Sequence, residues 1–148
     1  MARTKTQMRR RTNGRPGHRK GRHAFLFVYG TLARGQQLHD YLSRVSGTQF
    51  IGEGKIQGEL YALPGEDYPG AVLNLRKKHF VRGELYEMAE PATMLRLLDG
   101  VEGCDEGLFR RQLVDVWING GKRRAWTYLY AQPLREAQLI PSGDFRQA

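Results

Sequence analysis

Apolar residues in this chain come in short bursts, and most of the bursts have the length and composition of strands. Phe25-Leu26-Phe27-Val28 is unbroken and rich in aromatic and β-branched types, which predicts a buried strand ending abruptly at Tyr29-Gly30-Thr31-Leu32. Residues 48–51 and 55–63 predict two further strands separated by Gly52 and Gly54, and Pro64-Gly65-Glu66-Asp67 is a turn by its chemistry. Tyr68–Leu73 begins irregularly and ends as a strand. Over residues 79–88, Val81, Gly83 and Leu85 share one parity and Phe80, Arg82, Glu84 and Tyr86 the other, a strand pattern with two distinct faces. Leu113–Ile118 and Ala125–Ala131 flank Asn119-Gly120-Gly121, a strong hairpin signal.

Helical spacing is confined to two places. Gln36–Ser43 predicts a short helix with Leu38, Tyr41 and Leu42 inward. Glu90–Gly100 predicts a clearer one: Pro91 suits the first turn, Met94, Leu95, Leu97 and Leu98 supply an apolar face, and Gly100 marks the stop. The connections are too short for repeated βαβ crossovers. Short strands, glycine-rich turns and two or more short flanking helices therefore predict an α+β domain whose mixed strands curl into a small β-barrel.

Charge divides the chain near His23–Ala24. Residues 1–23 carry nine Lys or Arg and no Asp or Glu, whereas residues 24–148 carry fifteen of each sign, so the net charge of +9 belongs to the N-terminal segment. That segment has too few apolar residues to offset ordering entropy and is expected to be a disordered basic tail preceding a domain over 24–148. Its cations suit weak, nonspecific binding of a polyanion by phosphate neutralisation, or form a solvated extension. It lacks the apolar run of a secretory signal, and no stretch elsewhere approaches membrane-spanning length, so a cytoplasmic domain without membrane association is expected. A single cysteine, Cys104, leaves no intrachain disulfide and too few thiols for a zinc cluster. His18, His23, His39 and His79 show no metal-ligand spacing, so no structural metal is expected.

Two segments could carry chemistry. A glycine directly after a buried strand lets the chain turn and present successive backbone N–H groups, which hold an anion such as a carboxylate without a charged side chain. This describes Tyr29-Gly30-Thr31-Leu32. The second segment is Leu98-Asp99-Gly100-Val101-Glu102-Gly103. On its own, Glu102 is an exposed loop glutamate; held against apolar walls, its carboxyl would be raised toward neutral pH and could transfer protons. Asp99 closes the helix or pairs with Arg111. Cys104 has no identifiable histidine partner for a nucleophilic role.

Taken together these pieces resemble the γ-glutamylcyclotransferase superfamily, in its YtfP/AIG2-like and γ-glutamylamine cyclotransferase branch. The matching stretches run in family order: Val28-Tyr29-Gly30-Thr31-Leu32 with Gly35, Gly58-Glu59-Leu60-Tyr61, Tyr68-Pro69-Gly70-Ala71, and Val81-Arg82-Gly83-Glu84-Leu85-Tyr86. After them come Leu98-Asp99 with Glu102-Gly103, Phe109 with Arg111, Tyr128 with Tyr130, and Ile140-Pro141-Ser142-Gly143-Asp144-Phe145. The resemblance implies that Tyr29, Gly30, Thr31 and Leu32 hold a γ-glutamyl unit and that Glu102 is the general acid/base. It implies cyclisation of a γ-glutamyl amine or peptide to 5-oxoproline with release of the free amine. That reaction needs no metal or organic cofactor. The alternative is a noncatalytic, small-ligand-binding member of the fold whose basic tail engages nucleic acid. Phe109 stands where tyrosine is usual and Phe145 where tryptophan is frequent; the basic tail lies outside the family pattern.

Overall fold

The computed structural model describes residues 24–76 and 78–147; the basic segment 1–23, with the disorder and polyanion binding expected of it, lies outside the described residues. Seven strands are β1 (Ala24–Val28), β2 (Thr48–Ala62), β3 (Pro69–Leu73), β4 (Phe80–Met88), β5 (Phe109–Ile118), β6 (Gly121–Tyr130) and β7 (Gln138–Leu139), with one α-helix, α1 (Pro91–Val101). Neighbouring strands follow the order β2-β4-β1-β6-β5, and β5 returns to β2 at Lys55↔Trp117, so these five close into a barrel. All pairings are antiparallel except β1 with β6. The β3 and β7 strands extend the sheet along the far half of β2.

β1 reads as an unbroken apolar run because both of its faces are covered. Leu26 and Val28 pack outward, with Met94, Leu95 and Leu98 of α1, into one core. Phe27 and Tyr29 point into the barrel among Ile56, Val81, Leu85, Val116 and Leu129. A strand buried on both sides shows no polar alternation.

Three expectations are revised. β2 is one strand, not two, with its register shifted between Phe50 and Gly52. Gly54 does not break it but is where β5 closes on it: a Cβ there would lie 2.9 Å from Val116 Cγ1 and 3.1 Å from the Trp117 carbonyl oxygen. The short helix expected over 36–43 is a set of turns leading into a 3₁₀ segment, His39–Arg44, with Leu42 buried. Finally, α1 runs through Gly100, and the chain leaves the helix at Gly103, whose φ of +67° is left-handed. The hairpin is present and longer than expected, with Asn119 and Gly120 both at positive φ, as its favoured tight turn requires.

Candidate functional site

The site is assembled where the end of β1, the start of β3, the end of α1 and the β5–β6 hairpin converge. A cavity of about 90 Å³ lies there, lined by Tyr29, Gly30, Thr31 and Leu32 from the β1 end and by Val101 and Glu102 from the helix end. This is several times the space that one water needs. Tyr68, Pro69, Leu108 and Phe109 complete much of the wall.

The loop has a defined shape. Ala33 N–H bonds the Gly30 carbonyl at 3.0 Å, Leu38 N–H bonds the Thr31 carbonyl at 2.8 Å, and His39 Nδ1 lies 2.9 Å from the Leu32 carbonyl. Among the described residues no protein acceptor takes the N–H groups of Gly30, Thr31 or Leu32, and the Thr31 hydroxyl, on a residue only 9% exposed, has no hydrogen-bond partner. Buried donors of this kind call for a partner. Gly30 is also held close to Pro69, where a Cβ would meet the proline ring at 3.1 Å.

Glu102 caps the C-terminus of α1; its N–H bonds the Leu98 carbonyl at 2.8 Å. No donor among the described residues bonds its carboxylate, and burial pushes its carboxyl up to about 7. The helix end is fixed by Asp99, which accepts the Tyr128 hydroxyl at 2.7 Å and pairs with Arg111 at 3.5 Å. Three elements are thereby tied together one turn before Glu102.

The Tyr29 side chain is differently employed from the loop that follows it. Its hydroxyl donates to the Tyr128 carbonyl at 2.6 Å and accepts the Ala71 N–H at 3.2 Å. Burial, and after it the nearby Glu102 charge, keep the phenol protonated well above its ordinary range. The hydroxyl thus bridges β6 and β3, and its single proton is committed. Sequence reasoning left Tyr68 out of the site, yet it lines the cavity, its ring 6.1 Å from that of Phe109. A strand aromatic reads more often as core or rim, which is why Tyr68's place in a family-matching stretch did not put it in the site. Phe109 also packs edge-on against Tyr130 at 5.5 Å, so its position in the wall is held by aromatic packing.

A largely apolar cavity lined by a loop with spare N–H donors and by a carboxyl raised toward neutrality can hold an acceptor-rich ligand and exchange protons with it. Comparison with known proteins bears on which ligand. A relative from Methanocaldococcus jannaschii is 36% identical over 124 residues, 82% of this chain and 95% of that protein. The gamma-glutamylaminecyclotransferase of Rattus norvegicus is 38% identical over 99 residues, 64% of each chain. The crystal structure of an AIG2-like protein from Mus musculus superposes with a TM-score of 0.63 at 32% identity, covering 74% of this chain and 78% of the other. The family described as gamma-glutamyl cyclotransferase, AIG2-like, matches residues 26–147, a span that takes in the barrel, the cavity loop and Glu102. On fold and sequence alike, the chain belongs to the AIG2-like gamma-glutamyl cyclotransferase family.

Proposed function

We propose that this protein cyclises a γ-glutamyl amine or peptide to 5-oxoproline and releases the free amine. The observation carrying this reading is that Glu102, with its carboxyl raised to about 7, lines the same cavity as Gly30, Thr31 and Leu32, whose N–H groups have no acceptor among the described residues. A γ-glutamyl substrate contains its own nucleophile: the α-amino nitrogen attacks the γ-carbonyl carbon and closes a five-membered ring. Confining the substrate in this folded shape supplies much of the acceleration, because the reacting groups already share one molecule.

The α-amine is largely protonated at neutral pH, so a base must take a proton before attack. Glu102 accepts it, the nitrogen attacks and the new N–C bond forms, and the ring nitrogen sheds its second proton to water. As the old C–N bond breaks, the Glu102 carboxyl returns its proton to the departing nitrogen, and the freed amine takes up one proton from water. Two protons leave the α-ammonium and two reach the released ammonium, so atoms and charge balance with no co-reactant. The loop N–H groups hold the substrate carboxylate or the oxygen that gains charge during attack. The similarity to a gamma-glutamylaminecyclotransferase supports the substrate class.

The test is a 5-oxoproline assay across γ-glutamyl amino acids, γ-glutamyl-ε-lysine and glutathione, with wild type and Glu102→Gln compared. Glu102→Gln should lower turnover by about a hundredfold or more while the fold is retained. Undiminished turnover in a folded Glu102→Gln would remove Glu102 from the role of acid/base.

A further inference from the structure

Another buried carboxylate, 18 residues before Glu102, carries no step of the reaction above. Glu84 lies on β4 opposite Val28, the last residue of β1, and is only 1% exposed. Four donors converge on it. Oε1 accepts the backbone N–H of Arg34 at 3.0 Å and the Tyr86 hydroxyl at 2.9 Å; Oε2 accepts Arg34 Nε at 3.1 Å and Arg146 Nη1 at 3.3 Å. Burial alone would raise its carboxyl, but the Arg34 backbone bond, the Tyr86 hydroxyl and the Arg34 guanidinium outweigh it and hold the group below the ordinary range. Where Glu102 is left to titrate, Glu84 is kept charged.

The placement of the Arg34 N–H gives this cluster a consequence beyond stability. Every backbone–backbone hydrogen bond made by the segment Gly30–Leu38 stays within that segment or the 3₁₀ turn that follows. Among the described residues, the bond from Arg34 N–H to Glu84 is the one main-chain hydrogen bond that ties this segment to the barrel. The guanidinium of the same residue adds a second attachment to the same carboxylate. The same Oε2 is also gripped by Arg146, which bonds Asp144 at 2.9 Å and Glu53 at 3.0 Å, and Arg82 N–H bonds the Gly143 carbonyl at 2.7 Å.

We infer that Glu84 is a positioning residue for the cavity loop: it clamps the loop main chain through Arg34 and is itself braced by the C-terminal segment through Arg146. Its effect on substrate rests on the function proposed above, since it acts by keeping the N–H groups of Gly30, Thr31 and Leu32 in place for the γ-glutamyl unit. A clamp of this kind contributes to binding geometry and leaves the proton-transfer group untouched.

The experiment compares Glu84→Gln and Arg34→Ala with wild type, in the full chain, using whichever compound of the assay panel the wild type turns over. Amide hydrogen exchange is measured on the same proteins without ligand. Glu84→Gln replaces a charge-assisted acceptor with a neutral amide whose NH₂ faces donors, so KM should rise about tenfold or more with kcat changed far less. The acidic limb of the kcat/KM profile should stay where it is. Exchange over residues 30–38 should accelerate while α1 and the β5–β6 hairpin keep their protection. Arg34→Ala retains its backbone N–H, so it should move both readouts the same way by a smaller amount. It also decides the question alone if Glu84→Gln fails to fold. Unchanged KM and unchanged loop exchange in the folded variant would overturn the inference. If wild type releases no 5-oxoproline from any compound, the proposed function fails, and the exchange data alone then decide for or against the clamp.

Discussion

A carboxyl that titrates near 7 in the folded chain and near 4.5 when unfolded makes folding depend on pH. Between those values the native state keeps a proton that the unfolded chain has released. Stability therefore falls as pH rises through that interval, by up to about 3 kcal/mol once both states are ionised. Glu102→Gln removes the titration. The variant should melt higher than wild type at pH 8, and the advantage should vanish near pH 4, as measured by thermal unfolding across the range. A variant that gains stability while losing turnover is the signature of a group kept in an unfavourable environment for its chemistry. The same value predicts that wild-type kcat/KM rises with pH through about 7, because the base must be ionised to accept the proton. At this scale the sequence was legible in part. Glu102 and the Tyr29–Leu32 turn are each visible as residues, but seventy positions separate them and only the family resemblance joined them. The Tyr29 hydroxyl, spent on Tyr128 and Ala71, could not be read at all, because its partners are backbone groups brought there by other strands.

Among the elements, α1 shows how local chemistry misleads by a few residues. Gly100 was a reasonable stop, yet nothing within 4 Å opposes a side chain there and the helix simply continues. The left-handed φ of Gly103 is what ends it, with Leu108 Cβ 3.2 Å from where a Cβ would sit. Gly103→Ala should cost about 1–2 kcal/mol from the conformation alone. It should also lower turnover, because Glu102 is the residue just before the turn; unfolding titrations beside the 5-oxoproline assay would measure both. Similarly, the glycines of β2 look like interruptions in a linear reading. Gly54 is needed instead for the approach of β5, a partner more than sixty residues away. Strand periodicity and turn chemistry located the elements well because both are local properties. Register and closure depend on distant partners, so the single continuous β2 was not visible in the sequence.

For the whole molecule, the family span of residues 26–147 stands apart from the cationic segment that precedes it. No helix among the described residues is long and apolar enough to cross a membrane. Deleting residues 1–23 should leave 5-oxoproline production unchanged and remove any salt-sensitive binding to a polyanion, such as a labelled oligonucleotide titrated at two ionic strengths. Loss of turnover in the truncated chain would give the segment a part in the reaction.

The placement of β1 has a consequence for how the molecule comes to be. Its antiparallel neighbour pairs Ala24 with Met88, and its parallel neighbour pairs Leu26 with Trp126. The strand that leads into the cavity loop thus has its second partner about a hundred residues further along the chain. Such long-separated pairings slow folding, whereas the β5–β6 hairpin can form from its own neighbourhood. The brace that Arg146 puts on the loop comes from beyond the last barrel strand. The cradle therefore cannot be fully braced until Arg146, which follows all the barrel strands in the sequence, has been made. Bracing of the cavity loop thus comes after the barrel strands, the last of which ends at Tyr130.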